Sequence, residues 1–186
     1  SIDSVPAGAM FSMWNNFIIE EDWDYGFVEV STDGGSTWTE QKVYDDQGNL
    51  VSTDDGYSDP NGRMADFGGK KYGLTGTTGG WRHDNVDLSA FAGQNVQIRL
   101  RYATDAAYMD RGWFSDDFSL TAGGATLWSD DVESGDNGWS AADGTFTDTA
   151  GAGWVRDSGT QIKAQYYLVE WRNLDGFDEG LKYGYT

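Results

Sequence analysis

The sequence predicts an all-β protein: an antiparallel β-sandwich or jelly roll over residues 1–122, then a β-rich extension or partial second module over 123–186. Three observations carry this expectation. Residues 96–102 read Val-Gln-Ile-Arg-Leu-Arg-Tyr, the unbroken alternation of a half-buried strand. Several further strand-like stretches are divided by Gly and Asp clusters, the spacing of a sandwich or jelly roll. No window of about eleven residues carries a helical period.

The composition agrees. Net charge is -19, which in a poorly hydrophobic chain can mean disorder. Nine Trp, ten Tyr and nine Phe argue the other way, because disordered chains are poor in aromatics. The 26 Gly suit a fold with many turns. With 31 Asp and Glu against 12 Lys and Arg, nucleic acid and anionic membrane are excluded as partners by repulsion. The absence of Cys rules out disulfides and thiolate metal sites. No apolar run approaches the roughly 18 residues of a membrane helix, and no signal-peptide pattern is visible. Ser1 in place of an initiator Met suits a processed product or an excised piece. The acidity itself fits either a high-salt habitat or a calcium-rich extracellular setting.

Taken in order, residues 10–19 form one long bent strand or a strand pair, rich in Met, Phe, Trp and Ile. Residues 26–31 form the next, with Val28 and Val30 on one face and Phe27 and Glu29 on the other. Asp33-Gly34-Gly35 then supplies a hairpin turn that needs positive φ. The stretch Ser31-Thr32-Asp33-Gly34-Gly35-Ser36-Thr37-Trp38 matches the Asp-box pattern Ser-x-Asp-x-Gly-x-x-Trp. Its expected role is structural, the Asp tying the turn and the Trp packing beneath it. A propeller would need repeated copies, and one is present. A short strand follows at 38–43.

Residues 45–80 contain nine Gly and six Asp. So long a connection is usually functional or mobile, and its Asp-Gly and Asp-Pro-Asn-Gly turns suggest an ordered excursion. Strands are expected at 113–121 and 165–171. Ala122-Gly123-Gly124-Ala125 reads as a junction between the two parts.

Candidate chemistry lies with the carboxylates. Glu20, Glu21, Asp22 and Asp24 place four acids in five residues at a strand end. Hard oxygen ligands of this kind suit calcium, which takes six to eight oxygens; the alternative is a solvated acidic turn. Asp105 joins the set if the fold brings it near, as does the pair Asp116-Asp117. By strict alternation Asp116 shares a face with Phe114, Phe118 and Leu120, the face expected to be buried. A buried carboxylate needs a partner: a cation, an Arg such as Arg99, Arg101 or Arg111, or a bulge that turns it outward. Asp130, Asp131, Glu133 and Asp136 form a possible second metal site, without EF-hand spacing, or a solvated loop.

Catalysis has little support. A zinc peptidase of the His-Glu-x-x-His type needs two histidines, and His83 is the only one. No Gly-x-Ser-x-Gly elbow occurs. Paired carboxylates for glycoside hydrolysis are present only in the sense that acids abound. His83 is expected on a loop or sheet edge.

Three ordered stretches carry a resemblance: Ile19-Glu20-Glu21-Asp22-Trp23-Asp24-Tyr25-Gly26-Phe27-Val28-Glu29-Val30-Ser31-Thr32-Asp33-Gly34-Gly35, then Asp87-Leu88-Ser89-Ala90-Phe91-Ala92-Gly93-Gln94 with the strand after it and Thr104-Asp105, then Gly112-Trp113-Phe114-Ser115-Asp116-Asp117. Tyr166-Tyr167-Leu168-Val169-Glu170-Trp171-Arg172 extends it. Together they resemble the non-catalytic region downstream of the peptidase domain in immune inhibitor A-type secreted zinc metallopeptidases. The resemblance implies an extracellular, MAM-like jelly roll that binds calcium through strand-end carboxylates, at positions matching Glu20, Asp24, Asp105, Asp116 and Asp117. The family's zinc motif is absent from this chain, so its peptidase activity does not carry over. The function expected is that of an accessory module that stabilises or positions a catalytic domain and helps engage substrate, its partners being other domains of the parent protein, and protein or glycan at a cell surface. The alternatives are a carbohydrate- or surface-binding module, favoured by aromatic rings lining one exposed face, or a structural subunit of an extracellular assembly.

Overall fold

A computed structural model describes residues 1–53, 59–108, 110–140 and 154. The elements in chain order are strands β1 (Met10–Ile19), β2 (Tyr25–Ser31), β3 (Thr39–Glu40) and β4 (Tyr44–Asp45), a one-turn helix α1 (Arg63–Asp66), β5 (Gly76–Thr77), β6 (Arg82–Asp87), a 3-10 turn at Ser89–Phe91, β7 (Gln97–Ala103), β8 (Gly112–Ala122) and β9 (Ala125–Asp130). The paired strands are antiparallel. One sheet runs β4-β6-β1-β8-β9 with β5 beside the end of β1; the other runs β3-β2-β7. The protein is therefore an antiparallel β-sandwich.

The alternation in β1 builds the core. Phe11, Met13, Phe17 and Ile19 point inward, and meet Val28 and Val30 of β2, Val86 of β6, Val96, and Trp113, Phe118 and Leu120 of β8. Residues 10–19 form one strand. Asn15 also points inward and is fully buried. It donates to Asp84 (2.7 Å) and accepts from the Trp113 indole (2.8 Å) and from Ser115 Oγ. Arg82 completes the group with two hydrogen bonds to Asp84, at 2.6 and 3.0 Å. A buried carboxylate with a bidentate guanidinium and an amide is fully served, which lets β6 keep a charged residue on its inner face.

Two expectations are corrected by β8. Trp14 pairs with Asp116 and Ser12 with Ser119, so β8 carries one residue more than β1 over the same span. This β-bulge inverts the inward face along the strand. Trp113 and Ser115 point inward below it, Phe118 and Leu120 above it, and Asp117 takes φ 47° within it. Asp116 thus faces outward opposite the exposed Trp14, accepting a hydrogen bond from the Asp117 amide (2.7 Å). The buried-charge argument for a cation at Asp116 no longer applies. Second, Gly123 and Gly124, read as a junction, form the positive-φ turn that joins β8 to β9 in one sheet. The strand expected at 165–171 lies outside the described residues.

The excursion after β4 covers the outer face of β2. Every residue of β2 is buried. On its outer side Tyr25 and Phe27 pack with Met64, Ala103 and Phe67, and the fully buried Glu29 meets Arg99 (2.7 Å), Lys70 (3.2 Å) and Arg101 (3.3 Å). The Asp-box turn forms as expected. Asp33 accepts from the Thr37 amide (2.8 Å) and hydroxyl (2.6 Å), and the Trp38 indole donates to the Gly35 carbonyl (2.9 Å). The Thr37 bonds, with one from Ser31, hold the Asp33 carboxyl down at about 2.

Candidate metal centre

The two sheets are linked at one end by residues 20–24, from β1 to β2, and by residues 104–111, from β7 to β8. The first link turns because the Trp23 and Asp24 amides both donate to the Glu20 carbonyl, at 3.3 and 3.0 Å, and Asp22 takes a left-handed φ of 64°. Thr75 pins the turn from outside, its hydroxyl donating to the Glu20 carbonyl (3.2 Å) and accepting from the Asp22 amide (3.0 Å). The second link turns on Asp105, which accepts from the Ala107 amide (2.9 Å).

Between these links the carboxylates of Glu20, Asp24 and Asp105 converge, with one potential ligand oxygen from each lying within 4.8 Å of the other two. Asp24 is wholly buried. Its Oδ1 accepts from the Asp105 amide (2.9 Å) and its Oδ2 from the Tyr102 hydroxyl (3.3 Å). Glu20 Oε2 is buried without any hydrogen-bond partner. Among the described residues no Lys or Arg forms an ion pair with any of the three.

The electrostatics follow. Burial, then the charges of Asp105, Asp24 and Asp110, push the Glu20 carboxyl up from its ordinary value. Burial likewise raises Asp24, against the hydrogen bonds it accepts from the Asp105 amide and Tyr102. The Tyr102 hydroxyl is raised by burial and by Asp24, so it remains a donor. An all-oxygen set with an orphaned, buried carboxylate oxygen fits a hard divalent cation. It lacks the nitrogen or sulfur that zinc sites favour.

Of the sequence-predicted residues, Glu20, Asp24 and Asp105 are brought together. Glu21 is exposed and Asp22 serves the turn. Asp116 and Asp117 lie at the bulge and do not join the cluster. Asp130, Asp131, Glu133 and Asp136 form no such group among the described residues. Asp130 is spent on its own loop, accepting from the Val132 amide (3.0 Å), Asn137 (2.7 Å) and the Trp139 indole (3.1 Å). Tyr102, Asp110 and Thr75 were not foreseen. Tyr102 ends the alternating strand, but its role at Asp24 depends on a residue 78 positions away.

A family model described as immune inhibitor A-like, MAM domain, matches residues 4–151. The chain belongs to that family. Pre-pro-metalloprotease PrtV of Vibrio cholerae is 29% identical over 182 residues, 96% of this chain and 16% of the relative. Immune inhibitor A of Bacillus thuringiensis is 37% identical over 107 residues, 58% of this chain and 14% of the relative. Bacillopeptidase F of Bacillus subtilis is 28% identical over 119 residues, 64% of this chain and 6% of the relative. This MAM-like domain thus spans at most 16% of the length of these relatives, and in each the matching region is one part of a far longer protein.

Proposed function

We propose that this domain is a non-catalytic, calcium-binding accessory β-sandwich of a secreted metallopeptidase, which stabilises or positions the catalytic domain and helps engage substrate. The observation that carries the reading is the Glu20–Asp24–Asp105 cluster with its orphaned Glu20 oxygen. An ion held there ties the β1–β2 link to the β7–β8 link. It offsets the mutual repulsion of three carboxylates at the end where the chain crosses between sheets. The role is structural: a fixed sheet-to-sheet geometry at this end gives neighbouring domains a rigid surface to rest on. An extracellular setting, where calcium is abundant, suits a site of this kind. The names of the relatives, among them a metalloprotease and a peptidase, support a peptidase as the parent.

The test is thermal unfolding with calcium and with chelator. Calcium at a hundredfold excess over its Kd is expected to add about 2.7 kcal/mol. Glu20→Gln and Asp24→Asn should abolish the increment, while Asp116→Asn should keep it. An unchanged Tm on chelation of the wild-type chain overturns the calcium reading.

A further inference from the structure

The loop after β9 hangs on one buried carboxylate. Asp130, 4% exposed, ends β9 opposite Phe118 of β8. Its Oδ1 accepts from the Val132 amide (3.0 Å) and from Asn137 Nδ2 (2.7 Å), and its Oδ2 from the Trp139 indole (3.1 Å). These bonds fold residues 131–139 back on the sheet. Trp139 then lies on Phe118, with 4.9 Å between ring centroids, and 6.4 Å from Trp128, and it joins the margin of the core. Val132 takes a left-handed φ of 59° in this turn, which is costly for a β-branched residue. The bonds to Asp130 hold the loop closed against that strain.

One of the three donors is chemically labile. Asn137 is exposed and precedes Gly138, and the chain repeats that dipeptide once, at Asn61-Gly62. Glycine carries no Cβ to shield its backbone nitrogen, so that nitrogen can attack Cγ of the preceding Asn. The N–Cγ bond forms and the Cγ–Nδ2 bond breaks. Nδ2 takes the glycine amide proton and leaves as ammonia. Water then opens the cyclic imide to aspartate or isoaspartate. We infer that Asn137 is a deamidation site whose conversion unlatches the 131–139 loop. The reaction replaces a donor 2.7 Å from Asp130 Oδ1 with a second carboxylate. Two carboxylates do not keep that spacing without a proton or a cation between them. Asp130 is the buried member of the pair and retains its other two donors, so the exposed residue 137 swings away and the turn that presents Trp139 opens. Asn61 is the internal comparison. It is exposed too, but its amide donates to the Asp22 carbonyl (3.2 Å) and not to a buried charge, so its conversion leaves the 131–139 loop closed. Water is the one co-reactant, and the latch opens with age. The inference is independent of the metal.

The experiment ages the whole chain at mildly alkaline pH with chelator present. Peptide mass mapping follows aspartate and isoaspartate at positions 61 and 137, and a glutamate-specific protease times cleavage after Glu133. That residue lies exposed in the loop, and cleavage follows the population of the open form. Loss of a hydrogen bond to a buried charge predicts cleavage about tenfold faster or more, both in the aged chain and in Asn137→Asp. Asn61→Asp should be cut at the rate of the fresh wild type, and amide exchange in β1 should stay unchanged in all three. Asn137 still intact once Asn61 has converted overturns the proposal. So does conversion at 137, or Asn137→Asp, with cleavage at the wild-type rate. Exchange in β1 accelerated as much as cleavage marks global unfolding and overturns the local latch. None of these results bears on the calcium-dependent Tm shift, so the two readings fail separately.

Discussion

Gly26 shows how tightly single positions are specified. It lies on the inner face of β2, and a Cβ there would stand 2.6 Å from Trp113 Cε3. Its φ is not in the left-handed region, so the requirement is for space and not for backbone freedom. Gly26 lets β2 approach the indole that donates to Asn15. Gly26→Ala is expected to cost about 1–3 kcal/mol through overpacking, read as a lower denaturant midpoint with an unchanged m-value. Glu20 is specified differently: one of its oxygens is buried with no donor. Unpaired buried charge is normally selected against, and that residue-level anomaly is what singles out the cluster from the other acidic turns.

At the scale of elements, the excursion after β4 acts as a strap. Its apolar residues Met64 and Phe67 close over Tyr25 and Phe27. Lys70 reaches Glu29, Glu40 (3.3 Å) and the Trp38 carbonyl. Arg99 stacks over the Trp38 ring at 4.2 Å, which joins the Asp-box turn to the same network. Removing Glu29 leaves three cations without their shared, buried partner. Glu29→Ala should therefore cost about 3–5 kcal/mol. Hydrogen exchange in residues 59–75 is expected to rise more than exchange in β1 and β8. Equal acceleration everywhere would show that the strap is not a separate unit.

Across the whole molecule, two classes of carboxylate oppose each other as pH changes. Glu20 and Asp24 are raised in the folded protein. Their charging costs stability at neutral pH, and the cost disappears as pH falls through their raised values towards the ordinary carboxyl values of 4.5 and 3.8. Asp33, Asp45, Asp46 and Asp87 are lowered by hydrogen bonds they accept. Their stabilisation is present above the ordinary value of 3.8 and is lost as pH falls below it, for Asp33 down to about 2. The calcium-free protein is thus expected to gain from its metal-site carboxylates on mild acidification and to lose stability below the ordinary carboxylate range. The calcium increment in Tm should shrink over the mildly acidic window, as protons compete for Glu20 and Asp24. A calcium increment independent of pH there would place the ion on other groups.

The sequence by itself determined the sandwich class, the long first strand, the Asp-box turn, the family, and the strand-end position of Glu20 and Asp24, because all of these rest on local alternation, turn chemistry or contiguous motifs. It did not reveal β6, whose inner face carries Arg82 and Asp84 and breaks the apolar pattern; Arg82 together with Asn15, 69 residues away, makes that buried charge tolerable. It placed Asp116 inward, because alternation holds only while the ladder is regular, and the extra residue in β8 is visible only against β1. Nor could it separate the acid clusters. Tertiary structure joined Glu20 and Asp24 to Asp105, and gave Asp130 to its own loop. A carboxylate's role depends on which donors and charges surround it in space, and those come from strands far apart in the chain.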